Sequence, residues 1–225
     1  MSKLHEACRS GDLATVQQII ASHPEQVDAD DEYEWRPIFH ASLGKHLAVV
    51  RFLIASGADL ASHDGYVLHY AAEVPGNQEI VNLLVQYGAL DAHVHPSSDL
   101  GRQLLAAIFL NDVNRCRELL RMHPELATEI DGRDDQPIHH AARNGSVDIV
   151  RLLADVGASV DAVGRRGHTV LYCAAGHGHL QTVRFLLSRG VDVDTVFTED
   201  GKTVRQWLDQ YLDQPSLAMV RELLG

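Results

Sequence analysis

The sequence predicts an all-α fold, a stack of short helix pairs joined by hairpin loops, and three observations carry that reading. In the stretch Asp131 to Asp161 two short apolar patterns at helical spacing share one seam. The same pattern recurs along the chain, with a glycine where each pair turns. Finally, Leu104 to Glu125 resembles Leu4 to Glu25 at a fixed offset of 100 residues, and the offset persists when Pro37-Ile38 and Gly57-Ala58 are set against Pro137-Ile138 and Gly157-Ala158.

The stretch 131–161 shows how one unit is built. Pro137 has a fixed φ and no N–H to lose, so it suits the first helical position, with Asp135 or Gln136 next to the cap. Ile138, Ala141 and Ala142 then share a face, and Asn144-Gly145 supplies a pair that turns the chain. Val147, Ile149, Val150, Leu152 and Leu153 mark a second helix, stopped by Gly157 where a left-handed residue is wanted. Neither helix is long enough to stand alone, so neighbouring copies must cover the seam. Gln136-Pro137-Ile138-His139-His140-Ala141 sits in the register of the T-P-L-H-x-A signature, and through it the chain resembles the ankyrin-repeat family. The resemblance implies an all-α ankyrin-repeat α-solenoid of about seven helix-pair repeats with protruding hairpin loops, one domain over residues 1–225. Its repeats fall at approximately 1–29, 30–61, 62–95, 100–130, 131–163, 164–196 and 197–225.

Taken in order, repeat one starts directly as a helix, Leu4 to Cys8, turns at Gly11, continues through Val16, Ile19 and Ile20, and closes at His23-Pro24-Glu25. Without a preceding hairpin it should cap the stack. Repeat two carries Arg36-Pro37-Ile38-Phe39-His40-Ala41, with Phe39 in the signature histidine position, then Val49, Val50, Phe52, Leu53 and Gly57. Repeat three holds Leu68-His69-Tyr70-Ala71-Ala72, Ile80, Val81, Leu83, Leu84 and Gly88; it lacks one residue between Gly65 and Leu68 and gains one near Val74-Pro75, so a distorted inter-helix turn is expected. After the longer connection His93 to Asp99, repeats four to six read as a duplication of one to three. Repeat six is regular, from Gly167-His168-Thr169 through Gly178, Phe185 and Leu187 to Gly190. Trp207, Leu217, Val220, Leu223 and Leu224, spaced by Gln and Asp, make a C-terminal cap. The irregular third repeat and the His93 to Asp99 connection should together form a soft joint, exchanging amide hydrogens faster than Ile138 to Leu153.

Composition bounds the function. With 45% hydrophobic and 22% charged residues among 225, the chain is an ordinary globular one with enough length for a substantial core. No basic segment and apolar run opens it and no stretch approaches a membrane span, so no export is expected. Cys8, Cys116 and Cys173 each lie within a helical apolar pattern and read as reduced core thiols of a cytoplasmic protein. A net charge of −12 opposes nucleic acid and anionic membrane as partners, because both call for basic clusters. Residues 1–100 hold 5 Lys/Arg against 14 Asp/Glu, and the rest 14 against 17. The densest acidic run, Asp28, Asp30, Asp31, Glu32 and Glu34, reads as a solvated loop, with a basic partner surface as the alternative.

Resemblance to the family implies a non-enzymatic scaffold, expected as a monomer, that binds a partner protein on the concave face made by hairpin tips and first helices. An enzyme inhibitor or regulatory subunit using the same face is the alternative. Lined up with the family, the second repeat's hairpin and first helix put Tyr33, Trp35, His40 and Leu43 on that face, and the third adds Tyr70 and Val74. Phe109 and Leu110 follow from the fourth, and His140, Arg143 and Asn144 from the fifth. Arg165, Arg166, His168 and His177 come from the sixth. Tyr33, Trp35, Tyr70, Phe109 and Leu110 are large apolar side chains of the kind interfaces favour, which places the expected groove over repeats two to five; singly, Tyr70 and Phe109 read equally well as packing between helices.

Chemistry-bearing motifs are sparse. His69 and His139 occupy the signature position, where the resemblance implies hydrogen bonds that brace adjoining loops, and His5 is placed to do the same. His93-Val94-His95 is a two-ligand fragment, with His63 and Asp91 or Asp99 as the nearest further candidates for weak zinc binding; the ordinary reading is a loop histidine pair. Cys173 and His177 are a thiol and an imidazole at helical spacing, and without an activating pocket the thiol reads as inert. The sequence has no G-x-S-x-G, no phosphate-cradling glycine loop, no H-E-x-x-H and no C-x-x-C, so no cofactor, metal or catalytic residue is assigned.

Overall fold

The computed structural model describes residues 2–60, 66–74, 76–89, 98–132, 134–194, 201–211 and 222. Among them are 13 α-helices and no β-strand, the one ladder contact being an isolated antiparallel bridge between Val163 and Thr169. The chain divides into two compact units, Met1–Val94 and His95–Gly225.

The first unit contains α1 (Lys3–Ser10), α2 (Leu13–Ser22), α3 (Pro37–Leu43), α4 (Leu47–Ala55), α5 (Tyr66–Glu73) and α6 (Gln78–Gln86). Odd-numbered helices form one layer, α1 on α3 and α3 on α5, and even-numbered ones a second, α2 on α4 and α4 on α6. Between the layers lies the shared seam: Leu4, Cys8, Val16, Ile38, Ala41, Val50, Leu53, Leu68 and Leu84 are all buried. Each large aliphatic side chain there contributes about 1.5–3 kcal/mol, which helices of 7 to 10 residues need in order to persist.

The second unit repeats the plan with α7 (Asp99–Phe109), α8 (Val113–Met122), α9 (Pro137–Arg143), α10 (Val147–Asp155), α11 (Val170–Gly176), α12 (Leu180–Ser188) and α13 (Val204–Tyr211). Here α7, α9, α11 and α13 pack in sequence, as do α8, α10 and α12. Pro37 and Pro137 open α3 and α9 at the first helical position, as expected. Gly145 takes the left-handed turn at φ 70°, and a β-carbon there would collide with the His179 ring, so both backbone shape and close approach require glycine.

The duplication is structural as well as sequential. Asp12 and Asp112 cap α2 and α8 by accepting the N–H groups of Thr15 and Arg115 at 3.0 and 2.9 Å. His23-Pro24 and His123-Pro124 each lead into a short 3-10 helix, Pro24–Asp28 and Pro124–Thr128. The hairpin tips close alike: the Asp31 N–H donates to the Trp35 carbonyl at 3.0 Å and the Asp131 N–H to that of Asp135 at 2.9 Å, with Glu34 and Asp134 both at φ 63°.

Neighbouring repeats are stitched by the residue that opens the outer helix at α4, α6 and α12. His46 Nε2 donates to the Arg9 carbonyl at 2.9 Å, Asn77 Nδ2 to that of Ser42 at 3.0 Å, and His179 Nε2 to that of Arg143 at 2.6 Å. Each bond satisfies a carbonyl orphaned near the C-terminus of the preceding inner helix. Asn77 also bonds the Ala71 carbonyl at 2.9 Å, which fastens the turn of repeat three. Pro75, the connection from His93 to Ser97 and the terminal residues Leu217, Val220, Leu223 and Leu224 lie outside the described residues, and with them most of the expected soft joint and C-terminal cap.

Candidate functional site

In the first unit the loop before α3, the end of α3 and the end of α1 enclose an open groove of about 340 Å³ lined by Arg9, Asp31, Tyr33, Trp35, His40, Leu43 and Gly44. Four of the residues expected on a binding face, Tyr33, Trp35, His40 and Leu43, therefore meet at one place. Tyr33 is 70% exposed and Trp35 43%, while His40 is buried with its ring forming part of the floor. Trp35 lies against Phe39 with ring centroids 4.3 Å apart, and Tyr70 meets Phe39 edge-on at 5.4 Å. Such aromatic pairs are rigid and expose large apolar area at little entropic loss.

The groove is held in shape by Asp31. Its carboxylate accepts the N–H groups of Tyr33 and Trp35 at 2.8 and 3.0 Å and a bond from His40 Nε2 at 2.8 Å. Burial alone raises the Asp31 carboxyl, but the two backbone donors and His40 outweigh it and hold it below the ordinary carboxylate range. Burial pushes His40 down more than Asp31 pulls it up, which favours the neutral imidazole. Asp31 was expected in a solvated run; its side chain is instead fully buried.

In the second unit the equivalent positions are used inwardly, and the expectation that they lie on a surface is corrected. Phe109 is 3% exposed and its ring packs on His140 at 5.7 Å. His140 is buried because its Nε2 bonds Asp131 at 2.7 Å. Arg143 is 7% exposed because its guanidinium pairs with Asp135 at 2.6 Å. Burial by itself raises the Asp135 carboxyl, yet the Arg143 charge, His140 and the bond from Arg143 hold it far below its usual value. The other Asp135 oxygen accepts the Arg165 N–H at 3.0 Å. Leu110 is exposed, Asn144 bonds the Ile108 carbonyl at 3.3 Å, and half-buried His168 lies tilted against Tyr172 at 4.3 Å. Arg166 is exposed at the hairpin tip.

His139 and His5 make the bracing bonds the resemblance implied. His139 Nδ1 accepts the Gln136 N–H at 3.0 Å while Nε2 bonds the Ala162 carbonyl of the next hairpin at 3.2 Å, and His5 Nε2 bonds Ala29 at 2.9 Å. Burial lowers the His139 imidazole, consistent with one donor and one acceptor nitrogen. His177 Nδ1 bonds the Cys173 carbonyl at 2.7 Å, so the imidazole serves the end of α11. Burial pushes the Cys8 and Cys116 thiols up to about 12. The side chain of His69 and the fragment His93-Val94-His95, with His63 and Asp91, lie outside the described residues; Asp99 pairs with Arg102.

A pile of short helix pairs, tied repeat to repeat by side chains on carbonyls and braced through a signature histidine, defines a helical repeat protein. Residues 4–95 and 104–196 match the family described as ankyrin repeats (3 copies), and the chain belongs to that family. It is similar to the palmitoyltransferase AKR1 of Lachancea kluyveri, at 30% identity over 213 residues, 90% of this chain and 28% of that protein. It is also similar to the B-cell lymphoma 3 protein homolog of Mus musculus, at 28% identity over 201 residues, 84% of this chain and 44% of that protein. A third relative is the ankyrin repeat protein nuc-2 of Neurospora crassa, at 25% identity over 193 residues, 81% of this chain and 17% of that protein. The chain thus spans less than half the length of each relative. Ankyrin repeats generally mediate protein–protein interaction and are generally non-enzymatic.

Proposed function

We propose that the chain is a non-enzymatic binding module that holds a segment of a partner protein in the groove of its first unit. One observation carries this reading: the two halves are copies, yet they treat the same positions oppositely. At the offset of 100, Arg9, Trp35, Phe39 and Leu43 face Phe109, Asp135, His139 and Arg143. In the second unit Phe109 is packed away, Arg143 pairs with Asp135, and His139 braces the next hairpin through the Ala162 carbonyl. In the first, the exchange for Trp35 and Leu43 leaves an aromatic groove that folding alone does not require.

Further features support the same reading. The acid with the most displaced carboxyl, Asp135, has both oxygens taken by Arg143 and Arg165, as in a structural network rather than a reactive pocket. Three buried thiols without a disulfide favour a reducing, cytoplasmic setting. The net charge of −12 favours a protein partner over a phosphate backbone or an anionic bilayer.

The test is capture of partners from lysate by the intact chain beside the Trp35→Ala/Leu43→Ala variant, with unfolding of both followed by circular dichroism. A bound protein lost from the folded variant supports the groove; a partner retained by it at full strength overturns the location.

A further inference from the structure

We propose that the occupant of the first unit's groove is a cationic peptide segment, in which an apolar side chain fills the groove and a neighbouring lysine or arginine rests on the Tyr33 and Trp35 rings. The inference rests on the functional reading above and adds the chemistry of the partner.

The wall of the groove is aromatic and its margin acidic. Tyr33 and Trp35 stand 6.2 Å apart with planes at 49°, and both are substantially exposed, so two ring faces are presented together. A cation above such faces is attracted by the ring quadrupoles. Tyr33 sits in the chain between Glu32 and Glu34, both exposed. Half-buried Arg36, the residue after Trp35, pairs with Asp28 at 3.5 Å, Asp30 at 3.5 Å and Asp59 at 3.2 Å, so the hairpin beside the rings is rich in carboxylates. On the floor, the Asp31 carboxylate bonds a histidine rather than a lysine or arginine. Residues 1–100 carry 5 basic against 14 acidic side chains, so the wider field has the same sign. Arg9 lines the groove as well, where its donors suit a carbonyl or carboxylate of the same segment.

An acidic peptide would meet this margin with like charge. A second copy of the chain, at net charge −12, is disfavoured for the same reason.

A randomised peptide library selected on the intact chain, with selection on Trp35→Ala/Leu43→Ala subtracted, tests this directly. The expected pool is enriched in lysine or arginine beside an aliphatic or aromatic residue and depleted of Asp and Glu. Its best peptide should bind roughly five- to tenfold more weakly to Glu32→Gln/Glu34→Gln, and weaken as salt rises from about 0.05 to 0.5 M. Tyr33→Ala, which removes an exposed ring, should weaken it with little effect on thermal unfolding. A groove-dependent pool that is neutral or acidic, insensitive to salt and to the glutamate changes, overturns the cationic occupant while leaving the groove standing. A pool unaffected by the subtraction, or no enrichment at all, overturns both readings. Self-association lost in Trp35→Ala would show that a second copy is the occupant and overturn the proposal.

Discussion

His140 donates its Nε2 proton to Asp131 at 2.7 Å, and 100 residues earlier His40 and Asp31 repeat the bond at 2.8 Å. In each case the carboxylate also ties down the hairpin, through the N–H groups of Tyr33 and Trp35 or that of Asp135. The aspartate is therefore the joint between a hairpin tip and an inner helix. Asp131→Ala leaves a buried imidazole donor and a backbone N–H without an acceptor. A loss of about 2–4 kcal/mol is expected. Urea unfolding measures it, and hydrogen exchange should show the loosening at residues 131–143 with the first unit unchanged.

A stronger effect is expected inside the Asp135 network. Arg143→Leu alone strands a buried carboxylate and should destabilise by about 3–5 kcal/mol. Asp135→Trp with Arg143→Leu imports the pair found at Trp35 and Leu43 and removes both charges together. The double variant should be more stable than Arg143→Leu alone, so a double-mutant cycle should show strong coupling. Gly164→Ala should also destabilise, because its β-carbon would collide with Asp135 Oδ1.

Acid should act in two windows. His40, His139, His168 and His179 all have imidazoles pushed below the ordinary value, burial being the largest cause in each. The unfolded chain therefore takes up protons first, and stability should fall as the pH drops below about 6.5, ending once the folded-state values are passed. The depressed Asp135 carboxyl contributes fully above about pH 3.9 and is lost below it. Melting temperature against pH should show both declines. His179→Gln, which keeps a donor for the Arg143 carbonyl, should flatten the first.

The helix pairs were legible because apolar spacing, Pro137 and Gly145 are local signals, and the duplication was legible as an offset in letters. Asp31 was not, since an aspartate inside D-A-D-D-E-Y-E reads as solvated until a histidine nine residues on returns to it through the hairpin. Nor were the opposite fates of the two halves. Whether a residue on an inner helix faces solvent depends on what fills the space beside it, and Arg9 against Phe109 decides that from another repeat. Pairing Phe109→Ala with Trp35→Ala as one groove test would thus mix two effects, because truncating buried Phe109 should destabilise by about 3–5 kcal/mol whatever binds elsewhere.

The same contrast supplies a change that separates folding from binding. Arg9 bonds His46 only through its carbonyl, so replacing its side chain leaves the stitch between repeats intact. Arg9→Phe places in the first unit the residue that packs against the histidine in the second, where Phe109 lies 5.7 Å from His140. With Leu43 and Trp35 already lining the space, the new ring should bury apolar area and raise stability by about 1 kcal/mol, seen as a higher urea midpoint. Because that ring occupies the volume a partner side chain would enter, capture of the partner should fall even as the protein becomes harder to unfold. Trp35→Ala should lower both quantities, whereas Arg9→Phe moves them in opposite directions. A variant that is more stable and binds as before would show that the groove is packing left incomplete rather than a place kept open for a partner.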